Sequence, residues 1–120
     1  IKIYKDGTQI YTRSDNTNYS GSYLGLGAAY GPGQTPNIYI SNFRLVKGTA
    51  VYSGNFTAPT GNLTPTGGTY SSTTNVNTSI PSGHCSILTA MTSNSFADLS
   101  GNNHPITQVG DPIPTKFMPY

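Results

Sequence analysis

Residues 39–52 read YISNFRLVKGTAVY, and residues 55–60 continue as NFTAPT. This stretch decides the fold class, because β-branched and aromatic residues favour strands and no helical period runs through it. We predict the longest strand of the chain over residues 37–46. A turn at Gly48 and a short edge piece over residues 50–52 follow.

The apolar residues of this predicted strand change parity part-way along it. Ile38 and Ile40 fall on one face, whereas Phe43 and Leu45 fall on the other, because side chains of a strand alternate. A β-bulge near residues 41–42 would bring all four to the same face. We therefore expect a bulged strand.

The composition also favours β structure. Gly, Ser, Thr, Asn and Pro dominate the 120 residues, 34% of residues are hydrophobic, and nine Tyr supply much of the apolar area. Such a chain has few helix formers and many turn formers. Disordered chains usually combine high net charge with few aromatic residues, whereas this chain has a net charge of +2 and 11% aromatic residues. We predict a single all-β domain at most.

The cationic residues form no patch. The six Lys and Arg are scattered along the chain, at Lys2, Lys5, Arg13, Arg44, Lys47 and Lys116. A nucleic-acid-binding surface usually shows a basic stripe, so we predict no nucleic-acid partner. No apolar run approaches the roughly 20 residues of a membrane helix, so we also predict no membrane span.

The first 13 residues carry a hairpin signal. Residues 1–5 alternate, residues 8–13 alternate again, and Asp6-Gly7 stands between them. A type I′ turn needs positive φ at both central residues, which Asp-Gly supplies at low cost. We predict a two-stranded antiparallel hairpin.

The remaining elements are weaker. Short strands are predicted over residues 22–27, 85–91 and 104–109, with a turn over residues 96–103 between the last two. Residues 57–83 are rich in Thr, Ser, Asn, Gly and Pro and predict a long surface loop or arm.

The motifs at residues 39–60, 86–89 and 98–110 together resemble a known family. They are similar to the late strands and following segment of concanavalin A-like (laminin-G-like) β-sandwich domains, in the version common in tail, fibre and other structural proteins of bacteriophages. The matching segments read YISNFRLVKGTAVY, NFTAPT, SILT and DLSGNNHPITQVG. The resemblance covers roughly residues 1–60 and 84–117.

This resemblance implies an antiparallel jelly-roll-type β-sandwich. Such sandwiches usually need more strands than this chain supplies, so we expect a partial domain that lacks its N-terminal strands and belongs to a longer polypeptide. Residues 1–56 would be strands of the sandwich, residues 57–83 a polar arm, and residues 84–120 closing strands with a Pro-rich terminal segment.

No residue pattern predicts catalysis. Glycosidases of related architecture need two carboxylates about the scissile bond, but this chain has no Glu and four Asp, which sit mostly in turns: Asp6, Asp15, Asp98 and Asp111. No nucleophile elbow or phosphate-binding loop is present. We predict that the chain is not an enzyme.

Two further residues have alternative interpretations. Laminin-G-like domains often hold Ca²⁺, and residues 98–103 contain oxygen donors, but Asp98 also suits a plain Asx-turn, and no Ca²⁺ ligand set can be identified. Cofactors are therefore predicted to be none, with Ca²⁺ left possible. Cys85, the single cysteine, is either a small buried hydrophobe or a site of intermolecular disulfide or other thiol chemistry.

The resemblance also makes sugar binding a candidate activity. Tyr30 stands in a Gly/Pro-rich loop beside Gln34 and Asn37, an aromatic ring next to amides that could hold sugar hydroxyls. Tyr23 and Tyr19 are weaker candidates. Each Tyr has a packing role as its alternative.

Two functions follow as expectations. The first is a virion structural protein, in a phage tail fibre, appendage or capsid surface, whose partners are other copies of itself and neighbouring virion proteins. The second is a carbohydrate-binding adhesin domain that recognises a host surface polysaccharide. Either function places the chain on a virion surface or outside cells.

Overall fold

Four β-strands and no helix are found in the residues that the computed structural model describes, which are 1–21, 24–27, 37–67, 75–90 and 96–113. The strands are β1 (Lys2–Lys5), β2 (Thr8–Thr12), β3 (Phe43–Val46) and β4 (Cys85–Thr89). They form two antiparallel two-stranded sheets, β1–β2 and β3–β4. The predicted all-β class is confirmed for this part of the chain.

The first sheet is the predicted hairpin. Asp6 and Gly7 have φ values of 50° and 77°, which fit a type I′ turn. Ile1 and Arg13 exchange backbone hydrogen bonds at the open end of the hairpin. The register shifts between Ile3 and Tyr4, which pair with Tyr11 and Gln9, so Ile10 of β2 is the extra residue of a bulge.

The second sheet joins two segments that are far apart in the chain. In it, Phe43 pairs with Thr89, and Leu45 pairs with Ile87. Asn42, just before β3, has a φ of 54° and donates its backbone N–H to the carbonyl of Ala90 at 2.9 Å.

The predicted strand over residues 37–46 is wrong for its first six residues. β3 begins at Phe43, because the left-handed backbone of Asn42 interrupts extended structure there. Ile38 and Ile40 therefore do not share a strand face with β3, and they are 53% and 41% exposed. The register irregularity of β3 lies between Leu45 and Val46, not at residues 41–42.

Two other strand predictions are also wrong. Residues 24–27 contain no strand, and residues 22–23 of that prediction lie outside the described part of the chain. Residues 104–109 are exposed and contain no strand. In both places strand-like composition has no neighbouring strand to pair with among the described residues, and a strand depends on that pairing. β4 ends at Thr89, so Ala90 of the predicted strand is not part of it, and residue 91 lies outside the described ranges.

The described parts of the predicted arm return to the body of the protein. Isolated bridges join Tyr52 to Val76 and Gly67 to Ser79. Ile80, near the end of the arm, is 3% exposed, as buried as Cys85 and Leu88, which are each 2% exposed. Burial of Cys85 confirms its interpretation as a small apolar side chain.

An aromatic cluster connects the hairpin to the segment after β3. The rings of Tyr52 and Phe56 stack with centroids 3.8 Å apart, and Tyr4 meets Phe56 edge-on at 5.3 Å. The backbone N–H of Phe56 donates to the carbonyl of Gly7 at 2.9 Å. This cluster, which is half-buried, holds the hairpin against residues 52–56.

Candidate functional site

Only one of the four predicted sugar-binding residues lies in the described part of the chain. Tyr23, Tyr30 and Gln34 lie outside the described residues. Asn37 is described and exposed, in a segment without regular structure. The binding role of these four residues therefore stays a prediction.

Tyr19 belongs to a small turn centred on Asp15. It is 72% exposed, and its hydroxyl donates to Oδ2 of Asp15 at 2.7 Å. Oδ1 of Asp15 accepts the backbone N–H of Thr17 at 2.9 Å, and Arg13 approaches Oδ2 at 3.4 Å. The hydrogen bonds from Tyr19 and then Thr17 lower the pKa of Asp15 to about 2. This carboxylate organises its own turn.

The second organised carboxylate is Asp98, which is 8% exposed and begins the Asp98 loop (residues 98–104). Its Oδ1 accepts the backbone N–H groups of Leu88 at 3.1 Å and Ser100 at 2.9 Å. Its Oδ2 accepts the hydroxyl of Ser100 at 2.9 Å and the N–H of His104 at 3.0 Å. The bond to the residue two positions on confirms the predicted Asx-turn. A carboxylate has about four acceptor positions, and all four are occupied here.

The pKa of Asp98 reflects this saturation. Burial is the largest single effect and raises the pKa. The hydrogen bonds from the backbone of Ser100, His104 and Leu88 and from the hydroxyl of Ser100 together outweigh burial and lower the pKa to about 2. Asp98 is therefore ionised at neutral pH, with its charge held by donors of the protein itself. Proton transfer or metal ligation at this group would require breaking one of these bonds.

The Asp98 loop covers the edge of β4 that faces away from β3. The backbone N–H of Leu99 donates to the carbonyl of Leu88 at 2.7 Å. The side-chain amide of Asn102 donates to the carbonyls of Cys85 at 2.9 Å and Ser86 at 3.1 Å. Side chains thus take the place that a third strand would occupy, which satisfies backbone groups that an edge strand leaves open.

Two adjoining grooves run beside the aromatic cluster. The larger encloses about 500 Å³ along β3 and has mostly apolar walls, including Ile40, Leu45 and Val51. The smaller encloses about 360 Å³ and is lined by the rings of Tyr4, Tyr52 and Phe56, with Asp6, Gly7, Ser41, Asn42, Ala58, Pro59 and Leu63 around them. The hydroxyl of Tyr4 is buried and has no hydrogen-bond partner among the residues that the structure describes. Aromatic walls with oxygen-bearing side chains at the rim suit a polyhydroxylated ligand.

His84 and Cys85 do not form a joint site. The ring of His84 pairs with the hydroxyl of Thr49 through Nδ1 at 2.6 Å, and it lies 3.3 Å from where a Cβ on Gly48 would be. The thiol of Cys85 is buried and its sulfur approaches the carbonyl of Ile87 at 3.7 Å. Burial raises the pKa of Cys85, which disfavours the reactive thiolate.

Neither a metal-binding cluster nor a membrane-spanning helix is found among the described residues. No group of three or more His, Cys, Asp or Glu side chains is placed there to hold a metal ion. No helix long and apolar enough to cross a membrane occurs in that part of the chain.

Sequence reasoning missed the smaller groove. Tyr52 and Phe56 stand in the motif of residues 39–60, but their meeting with Tyr4 is a contact across about 50 residues that no local pattern reveals. The available signal was the clustering of aromatic residues at the end of that motif.

Comparison with known proteins returned no match to any family model, curated protein or solved structure.

Proposed function

We propose that this chain is a structural component of a virion surface, in a phage tail fibre, appendage or capsid decoration, where its β-rich module serves assembly and display. Its two antiparallel strand pairs would then be part of a jelly-roll-type sandwich of the laminin-G-like kind. The proposal rests on the sequence resemblance together with one structural observation.

That observation is the contact among the motif segments. β3 carries the first motif, β4 carries the second, and the Asp98 loop carries the third. β3 pairs with one edge of β4, and the Asp98 loop bonds to the other edge. Segments that carry the resemblance thus form one continuous layer, as expected if they were retained together as a structural unit.

The hydrogen bonding of this layer suits a durable structural role. The side chains of Asp98 and Asn102 form hydrogen bonds with backbone groups of β4. These bonds satisfy backbone N–H and C=O groups at that edge of the strand. A component that must persist outside cells benefits from such closure, because open strand edges invite unwanted pairing.

Mass spectrometry of purified particles tests the proposal. Particles from the source of this sequence are banded on a density gradient and digested with trypsin. The fragments of residues 6–13 and 14–44, which result from cleavage after Lys5, Arg13 and Arg44, are quantified against a known capsid protein. We expect a fixed copy number per particle that survives high-salt washing. Peptides confined to the soluble fraction of the lysate would overturn the proposal.

A second function, a carbohydrate-binding adhesin, is favoured by the smaller groove. Tyr52 and Phe56 provide ring surface, and Asp6 and Ser41 provide hydrogen-bonding oxygens on the same groove. Exposed polysaccharide on a host cell presents matching hydroxyls and apolar sugar faces.

A glycan array with the purified chain distinguishes the two functions. Asp6→Asn keeps a residue that tolerates positive φ and removes the carboxylate, so it changes the groove with little effect on the hairpin. Binding that falls about ten-fold in Asp6→Asn but not in Asp111→Asn favours the adhesin. Loss in Tyr30→Ala instead would move the site to the loop predicted from sequence. No binding to any glycan would contradict the adhesin and leave assembly as the function.

A further inference from the structure

Among the described residues, no strand pairs with the outer edge of β1. Ile1 and Arg13 exchange hydrogen bonds, so Ile1 and, by alternation, Ile3 direct their backbone groups toward β2. Lys2 and Tyr4 therefore direct theirs away from β2. Those outward groups have no hydrogen-bond partner within the described part of the chain.

The opposite edge of this hairpin is treated differently. The backbone N–H of Gln9 in β2 donates to the side chain of Asn55 at 2.9 Å, and the carbonyl of Gly7 accepts the N–H of Phe56 at 2.9 Å. Within the described ranges, the hairpin is thus closed on the β2 side and open on the β1 side. An exposed edge of this kind is a template for another strand.

From this asymmetry we propose that β1 is a self-association edge, on which β1 of a second copy of this chain pairs antiparallel about a two-fold axis through Ile3. The inference deepens the proposed assembly function, on which it rests, by naming one contact between copies. The result is a four-stranded sheet in the order β2–β1–β1–β2.

The register follows from the backbone and from charge. When Ile3 faces Ile3 of the second copy, Lys2 faces Tyr4 of that copy and Tyr4 faces its Lys2. Both outward-facing residues of each strand then meet outward-facing residues of the other, which allows two hydrogen-bonded pairs. A register that set Lys2 against Lys2 would form one such pair and oppose two like charges. The sequence of β1 is therefore self-complementary in one register.

The exposed apolar residues of the hairpin agree with this arrangement. Ile1 and Ile3 share a face of β1 and are 49% and 48% exposed, and Tyr11, the cross-strand partner of Ile3, is 46% exposed. Two-fold pairing would place both copies of this face side by side. A closed two-fold contact of this kind is the commonest form of self-assembly.

Sedimentation of the 120-residue chain tests the proposal, from about 10 µM to about 1 mM because a short strand contact is weak. We expect a dimer fraction that rises with concentration. Lys2→Pro removes the outward N–H and leaves the ladder to β2 intact, so the dissociation constant should rise at least about ten-fold. Lys2→Ala is the matched control. It also loses the contact of Nζ with the carbonyl of Ser53 but keeps the N–H, and it should dimerise like the wild type.

Disulfide trapping gives a second measurement. Opposed residues of a non-hydrogen-bonded pair have Cα atoms about 4.5 Å apart, within disulfide range, so Ile3→Cys should crosslink across the two-fold axis. Ile10→Cys, at a position 61% exposed on β2, is the control and should crosslink much more slowly. Cys85 is buried and present in both proteins.

A monomer at every concentration, equal crosslinking of the two variants, or unchanged dimerisation of Lys2→Pro would each overturn the proposed self-pairing. These results are separate from the particle measurement. Absence of the chain from particles would overturn the virion function while a solution dimer still formed.

Discussion

The carboxylate of Asp98 accepts the backbone N–H of Leu88 at 3.1 Å. A buried, charged side chain therefore takes the place of the backbone carbonyl that a neighbouring strand would offer at this edge of β4. The same carboxylate also holds the Asp98 loop in its turn. One side chain therefore links the local conformation of the loop to the integrity of the second sheet.

Removal of this carboxylate should destabilise the fold. Asp98→Ala leaves the N–H groups of Leu88 and His104 without their acceptor, and we expect a loss of about 2 to 4 kcal/mol in unfolding free energy. Chemical denaturation followed by circular dichroism measures it. Asp111→Ala, at an exposed position, should change stability by less than about 0.5 kcal/mol. Equal midpoints for the two variants would contradict the role of Asp98.

The stability of the protein should depend on acid through the same residue. The pKa of Asp98 is lowered from 3.8 to about 2 in the folded state, so ionised Asp98 stabilises the fold above about pH 4. This contribution is lost as the pH falls from about 4 toward 2. The difference in unfolding free energy between wild type and Asp98→Asn should shrink over that interval. Asp15 titrates in both proteins and cancels, and a difference that is constant with pH would refute the assignment.

Alanine substitutions at three glycines should distinguish the cost of a positive φ from the cost of a steric clash. No described residue lies within 4 Å of a Cβ built on Gly61 or Gly83, but of these two only Gly83 has positive φ, at 81°. We expect Gly61→Ala to be within about 1 kcal/mol of neutral and Gly83→Ala to cost about 1 to 2 kcal/mol. Gly7→Ala should cost clearly more, because its φ is 77° and its Cβ would overlap the carbonyl oxygen of Phe56. Thermal unfolding of the three variants measures this order, and a Gly7→Ala variant no less stable than Gly83→Ala would exclude the close approach.

The thiol of Cys85 should be slow to react in the native protein. Its pKa is raised by burial, and the Asp98 carboxylate acts in the same direction against the opposing effect of Arg44. We expect alkylation at pH 8 to be about 100-fold slower than in guanidinium, because reaction requires opening of the structure. Timed labelling followed by mass spectrometry gives both rates. Comparable rates would show a reactive surface thiol, in favour of intermolecular chemistry.

The features that sequence predicted correctly are local ones. The hairpin depends on Asp6-Gly7, whose positive φ values follow from residue type, and the Asx-turn depends on Asp98 and a residue two positions away. Such features need no distant partner. A few residues determine them, so their patterns are informative on their own.

The features that sequence reasoning got wrong depend on distant partners. Residues 37–42 and 104–109 have strand-like composition, but strands form only where another strand lies alongside. The smaller groove likewise requires Tyr4 to meet Tyr52 and Phe56 across the hairpin. The sugar-binding set of Tyr23, Tyr30, Gln34 and Asn37 stays a prediction, because only Asn37 lies among the described residues.

The Asp98 loop also has a consequence for the order of events during folding. Asp98 closes on Leu88 across 10 residues, whereas β3 reaches β4 from about 40 residues earlier in the chain. A short loop closes faster and loses less chain entropy than a long one. We therefore expect the Asp98 loop to cover its edge of β4 before β3 pairs with the other edge, which would reduce strand pairing between molecules during folding.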